Sequence, residues 1–345
     1  MRLHIGYLGN PVISAHKSAW RQARESVIRI SYWLLAAGAI LFAPMLWAQS
    51  CAPSNEFSSS RASVVSGPEY SPTPDEAYAS TDATASTATA NAPSEGDWVN
   101  RWLRTVDKAR AEQPHTVAPL VTTHVLLVQQ FRFDSLHQES PAETWTHGGG
   151  KGLEIIPNTR MEVQVGIPPY IVHKTTNVPD GFGDISIFLK FRAFSAPEGK
   201  GNYFLGFFLG GSFPSATPPN GLGHTVWSPM IAAAKGWGFF DVQSTLSASL
   251  PQSGTNVLGR QILFNNAFQF KVAKIFWPQI ETNSTFFIDG PYSGKKQTFL
   301  TPGLVVGSFR IFQRLRFAPG VGMQIATTSF HLYDHRWIWS LRFPF

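Results

Sequence analysis

Cysteine is almost missing: the chain has 345 residues and a single thiol, Cys51. One thiol excludes an internal disulfide framework and any Cys-x-x-Cys metal site. Charge is scarce too. Asp, Glu, Lys and Arg make up 14% of the residues, roughly half the share in a typical soluble domain. That argues against an ordinary cytosolic enzyme. The mean hydropathy of −0.07 and the lack of repeated long apolar runs exclude a bundle of membrane-spanning helices. Catalytic signatures are absent as well: there is no Gly-x-Ser-x-Gly, no His-Glu-x-x-His and no P-loop. Gly148-Gly149-Gly150-Lys151-Gly152 has glycines and a lysine but no Walker spacing, so it reads as a loop or strand start. Asp180-Gly181-Phe182-Gly183-Asp184 reads as a turn, because further acids at calcium-loop spacing are missing. His331 and His335 would share a face only on a helix, and their surroundings read as loop and strand. No metal and no cofactor are expected.

Aromatics and glycine are plentiful. There are 27 Phe, 11 Trp and 29 Gly, and aromatics reach 13%. Low charge, many aromatics and near-neutral hydropathy suit a membrane β-barrel, whose strands alternate apolar and polar residues. The net charge of +6 divides into +4 for residues 1–48, −4 for 49–118 and +6 for 119–345. Part of the basic character is therefore a targeting segment, and no nucleic-acid partner is read from it.

Residues 1–31 are polar and basic, and an apolar run from Tyr32 to Trp47 comes next. With the small Ala48 behind it, this order reads as a signal peptide over 1–48. A retained membrane anchor is the competing reading, but the run is short for a span. Cys51 invites lipidation, yet Ala48-Gln49-Ser50 before it lacks the usual Leu and Gly/Ala pattern; both readings stay open. Residues 49–96 are rich in Ser, Ala, Thr and Pro and read as a disordered linker, with too little apolar surface to offset ordering entropy. Residues 97–118 hold an amphipathic helix and lead-in. Trp98, Trp102 and Val106 recur at spacing four over about 97–112, ahead of Pro114. This helix is expected to cover the mouth of the C-terminal domain, or to act as a plug or gate.

From 119 to 345 the period becomes two. Ile185, Ile187, Leu189 and Phe191 alternate with Ser186, Lys190 and Arg192. About 12 such segments succeed one another, the first read over 119–133, and many reach the roughly 10 residues that a tilted strand needs to cross a bilayer. Connectors alternate between short and long, as in a barrel with short periplasmic turns and long external loops. The expected fold is all-β: a closed antiparallel transmembrane barrel of about 12 strands, with the linker and one short helix ahead of it and both termini in the periplasm. In the last strand Trp337, Trp339, Leu341, Phe343 and Phe345 share the apolar face. They resemble the terminal signal by which bacterial outer-membrane proteins are recognised by their assembly machinery. Trp237, Trp277, Trp337 and Trp339 are expected at the membrane interfaces. The opposite faces nominate Arg132, Arg160, Glu162, Lys190, Arg192, Asp241, Glu281, Arg314, Arg316 and Arg342 as lumen-lining. Either water or a ladder of paired charges must accompany that many ionised groups. Leu126, Phe188, Phe204, Phe208 and Phe299 add an apolar lane or simple packing.

Residues 97–345 resemble the outer-membrane transporter family linked to the meta-pathway of phenol degradation. The resemblance is carried by Ile155-Ile156-Pro157-Asn158-Thr159-Arg160, by Pro179-Asp180-Gly181-Phe182-Gly183-Asp184 with Lys190-Phe191-Arg192 after it, and by the closing strand. It implies an outer-membrane channel or transporter and no catalytic residues. The expected function is passage of small solutes, aromatic or anionic, through a polar and mildly basic lumen. The expected partners are outer-membrane lipid, the assembly machinery and the solute. The alternatives are a lipid-modifying barrel enzyme, which needs Ser, His and a carboxylate in reach of one another, and a structural or adhesive barrel with a packed lumen.

Overall fold

The computed structural model describes residues 98–149, 151–216 and 218–345. The signal peptide, the linker and Cys51 lie outside the described residues. Along the chain come helix α1 (Trp98–Ala111), β1 (Gln130–Gln138), β2 (Thr144–His147), β3 (Gly152–Asn158), β4 (Met161–Gly166), β5 (Tyr170–His173), β6 (Gly181–Phe182) and β7 (Ile185–Ala196). They are followed by β8 (Tyr203–Phe213), β9 (Val226–Trp237), β10 (Phe240–Pro251), β11 (Gln261–Phe270) and β12 (Phe276–Phe287). The last are β13 (Lys296–Val306), β14 (Phe309–Phe312), β15 (Leu315–Ala326) and β16 (His335–Pro344). β2 with β3, β4 with β5 and β6 with β7 each form one interrupted stave, and β14 is a flap on β15, so the wall has twelve staves. All pairings are antiparallel, and β1 closes on β16 from Gln130↔Pro344 to Gln138↔Arg336. No sheet edge is left open along that seam.

The side-chain period decides which residues face outward and which face inward. On β7, Ile187, Leu189 and Phe191 point outward and keep 41%, 40% and 42% of their surface, while Lys190 and Arg192 point inward with 1% and 5%. The same inversion runs around the wall. Leu153, Val165, Leu209, Ile231 and Leu246 are exposed, whereas Glu154, Gln164, Gln243, Gln269 and Glu281 are buried. A water-soluble sheet buries its apolar face; this one buries its polar face. Trp237, Trp337 and Trp339 are exposed on the outside. Trp277 is not. It faces inward and packs with Leu120, Val305 and Ile338, which corrects its expected place at an interface.

Two ends can be told apart. At one, the connections are short: Gly238-Phe239 between β9 and β10 has Gly238 at φ 64°, the conformation a two-residue hairpin needs and glycine adopts without strain. At the other end, longer loops join β4 to β7, β8 to β9 and β10 to β11.

The first expected strand, 119–133, is wrong over most of its length. β1 begins at Gln130, and residues 119–129 run inside the barrel. A strand with one outward face cannot bury three residues in a row, yet Val125, Leu126 and Leu127 keep 0%, 2% and 0% of their surface. The local Thr-Thr-His-Val-Leu-Leu-Val sequence has no polar alternation, and it is enclosed on all sides by wall.

Helix α1 lies across the short-turn mouth. Its apolar positions Val106 and Ala109 are fully buried, and Trp102 donates from Nε1 to the Ile156 carbonyl at 2.7 Å. The end of a helix leaves carbonyls without partners. Here Arg192 from the end of β7 donates to the Ala109 carbonyl at 2.9 Å and meets the Glu112 carboxylate at 2.7 Å. Arg110 reaches the carbonyls of Gln129 at 3.0 Å and Phe345 at 2.9 Å, so the helix ties the barrel seam at its terminus. Trp102→Ala should cost about 2–3 kcal/mol. Limited proteolysis of the folded barrel should then cut within 98–111 while the strands stay intact; an unchanged cleavage pattern would contradict this docking.

Candidate functional site

The lumen is occupied by the chain that links α1 to β1. Its backbone carries the donors and acceptors, and the wall supplies side chains to meet them. The Glu281 carboxylate on β12 accepts from the amides of Leu120 at 2.6 Å, Val121 at 3.1 Å and Thr122 at 2.6 Å. Glu162 on β4 accepts from the Val128 amide at 2.5 Å. Arg132 on β1 donates to the carbonyls of Pro119 at 2.8 Å and Leu120 at 2.7 Å, and Arg342 on β16 adds a bond to Pro119 at 3.1 Å. Gln243 on β10 donates to the Val117 carbonyl at 2.9 Å and accepts from the Val125 amide at 3.2 Å. Gln113 crosses to both backbone groups of Leu127, at 2.7 and 3.1 Å, and so ties the two ends of the segment together. Leu120 is held by shape: a Cβ on Gly303 or Gly322 would stand 2.3 or 2.5 Å from its Cδ1.

Several of the charges inside are paired with one another. Lys190 meets Glu162 at 2.7 Å and Glu154 at 3.4 Å, and lies over the Phe208 ring at 5.9 Å. Arg132 binds Asp134 at 2.9 Å, and Asp134 also accepts from Ser340 at 2.6 Å. Buried ions need this degree of pairing. Amide groups extend the network: Gln243, Gln269, Gln279 and Glu281 form a continuous hydrogen-bonded row along the wall. Beside it, Val106, Ala109, Leu126, Leu127, Phe204 and Phe208 form one apolar cluster with Trp102 and Phe188. The aromatics named as a lane are, for Phe204 and Phe208, packing against the inserted segment.

Of the residues nominated from sequence, Arg132, Glu162, Lys190, Arg192, Asp241, Glu281 and Arg342 are buried inside the wall. Arg316 is half-buried near the mouth, with Ser308 at 3.5 Å. Arg160 and Arg314 are exposed at the short-turn end, so they do not line the lumen; Arg314 pairs with Asp107 of α1. Gln113 and Glu154 were missed. A neutral amide carries no sequence signal for its partner, and Glu154 sits in a strand too short to show its parity. Among the described residues, Ser135 meets His147 at 3.1 Å and His224 meets Ser253 at 2.9 Å. Neither imidazole has a carboxylate on its other nitrogen, the group a triad uses to orient the ring. His331 and His335 bond to different acids, Asp334 at 2.8 Å and Glu139 at 3.2 Å.

Glu281→Ala would strand three amides of the inserted segment in a buried place. Bonds to a charged acceptor contribute roughly 1.5–3 kcal/mol each and are not additive, so the loss should be about 3 kcal/mol. The melting temperature of the purified protein should fall clearly with Glu281→Ala and less with Glu281→Gln. Equal melting of the parent and Glu281→Ala would show that the carboxylate does not hold the segment.

No protein-family model and no curated protein matches this chain. Among solved structures, it is similar to the COG4313 outer membrane channel from Pseudomonas putida F1, with a TM-score of 0.43 and 11% identity over 66% of this chain and 98% of that one. It is also similar to the KdgM porin, with a TM-score of 0.38 and 7% identity over 62% of this chain and 99% of that one.

Proposed function

We propose that the protein is a bacterial outer-membrane channel for small solutes, closed at rest by its own segment 113–129. The observation that carries the reading is the inverted wall: apolar side chains cover the outside of a closed barrel, and polar and charged ones face its interior. A continuous exposed apolar belt is not sustained in water by a monomeric protein, and lipid is the environment that removes its cost. A closed barrel also satisfies every backbone group along the wall, the condition for crossing a bilayer with strands. The helix and both chain ends of the barrel then sit on the short-turn, periplasmic side, and the last strand with Trp337, Trp339, Leu341, Phe343 and Phe345 serves as the insertion signal.

A twelve-stave wall stands between barrels that their own side chains fill, at about eight strands, and those with open aqueous channels, at about 16–18. The inserted segment fills the difference. It is held by polar bonds to its backbone and by the packing of Leu120, Val125, Leu126 and Leu127, so opening requires both to be given up. The solute is small and anionic or aromatic; its aromatic character rests on the family resemblance alone. A second reading, a structural or adhesive barrel, is favoured by the packed lumen itself.

Conductance separates the two. In planar bilayers the full chain should be silent or nearly so. A chain lacking residues 98–129 keeps all twelve staves and should give stepwise conductance. A folded truncated barrel that stays silent would overturn the channel reading in favour of the structural one.

A further inference from the structure

On the long-loop side of the inserted segment, the lumen holds a cavity of about 170 Å³ lined by Thr123, Lys151, Gln164, Ser186, Phe188 and Ser228, among others. We infer that this cavity is a binding site for a small organic carboxylate, with Lys151 as its counter-ion. The inference rests on the channel reading for the solute's route and adds the solute's chemical class.

The wall is built for a guest. Three adjacent staves turn hydroxyls toward the cavity: Ser186 on β7 stands in register with Ser212 on β8, and Ser228 on β9 stands one inward position further along, opposite Gly210. Gly210 is what leaves the room. A Cβ there would fall 2.6 Å from the Phe188 ring, so the ring lies across the glycine and offers an apolar flank.

Lys151 supplies the charge. Among the described residues its ammonium has no carboxylate within the 4.0 Å of an ion pair. The acids nearest to it in the lumen are already engaged. Asp134 is bound by Arg132 and Ser340, and Glu154 by Lys190 at 3.4 Å and Gln130 at 3.0 Å. Next to Thr123 on the inserted segment, His124 is buried with neither ring nitrogen partnered, and Arg342 keeps Nε and Nη1 without a partner. Arg342 thus keeps buried donors without an acceptor, which costs stability, and an imidazole can donate or accept; neither residue lines the cavity, where Lys151 is the cation. An anion in the cavity gives Lys151 the opposite charge it lacks among the described residues. The size sets the rest: a cavity of about 150 Å³ takes a ring the size of benzene, so the guest is a carboxylate with a tail of about six carbons that lies against Phe188.

The test is calorimetric titration of the full-chain protein in detergent at fixed ionic strength. Sodium hexanoate is the probe, with 1-hexanol and sodium phosphate as comparisons. Hexanoate should bind saturably, and both comparisons at least tenfold more weakly. Lys151→Met should weaken hexanoate about tenfold or more, as expected for a lost charge-assisted bond, and Lys151→Arg should restore it to within a few-fold. Ser228→Leu keeps the charge but fills the space and should abolish binding, so the site stays testable if Lys151→Met fails to fold. Absence of hexanoate binding, an unchanged affinity in folded Lys151→Met, or phosphate binding as tight as hexanoate would each overturn the assignment. Because the titration needs no flux, it separates from conductance: a conducting truncated barrel without hexanoate binding removes this site and leaves the channel, and the reverse removes the channel and leaves the site.

Discussion

A buried carboxylate with amide hydrogens as its partners holds this molecule's interior together. Glu281 stands fully enclosed and is met by three consecutive amides of a segment that has no strand partner of its own. Each side solves the other's difficulty. The acid would otherwise be an unpaired buried charge, and the segment would otherwise carry orphaned backbone donors through an enclosed space. Glu162 with Val128, and Arg132 with Pro119 and Leu120, repeat the device at other heights of the wall. The inserted chain is thus held by reciprocity of polar groups, with Leu120 seated among glycines as the shape-specific contact.

That arrangement connects energetics to behaviour. The segment carries apolar surface as well: Leu120, Val125, Leu126 and Leu127 are buried, and leaving the lumen would expose them. The bonds that Glu281, Glu162 and Arg132 make to its backbone involve charged groups and contribute roughly 1.5–3 kcal/mol each, more than a neutral pair. Arg192, Arg110 and Trp102 bind the end and flank of the helix across the mouth to the wall and the seam, which tethers the segment at its N-terminal end.

The wall was legible in the sequence because strand periodicity is a local signal. Ile187, Leu189 and Phe191 against Lys190 and Arg192 show it within a single strand, and the closing strand shows it along its whole length. Helix α1 was legible for the same reason, from Trp98, Trp102 and Val106. The inserted segment was not. Val125, Leu126 and Leu127 look like strand residues by composition, and what makes them interior is a wall that closes around them from distant residues such as Gln243, 118 positions from Val125. Arg160 and Arg314 share the parity of lumen residues but sit past the ends of the staves, where parity no longer specifies a face. Trp277 misled in the opposite way: its type suggests an interface, yet Leu120 gives it an inner partner. Lys151 stood in a glycine run whose only readable message was a missing phosphate motif.

The most direct test of the central claim is amide hydrogen exchange of the intact, detergent-solubilised protein, read residue by residue over 113–129. A lumen filled and clamped as described predicts protection of the Leu120, Val121, Thr122, Val125 and Val128 amides comparable to that of the strands around them. Exchange of these amides as fast as that of the exposed long loops would contradict it.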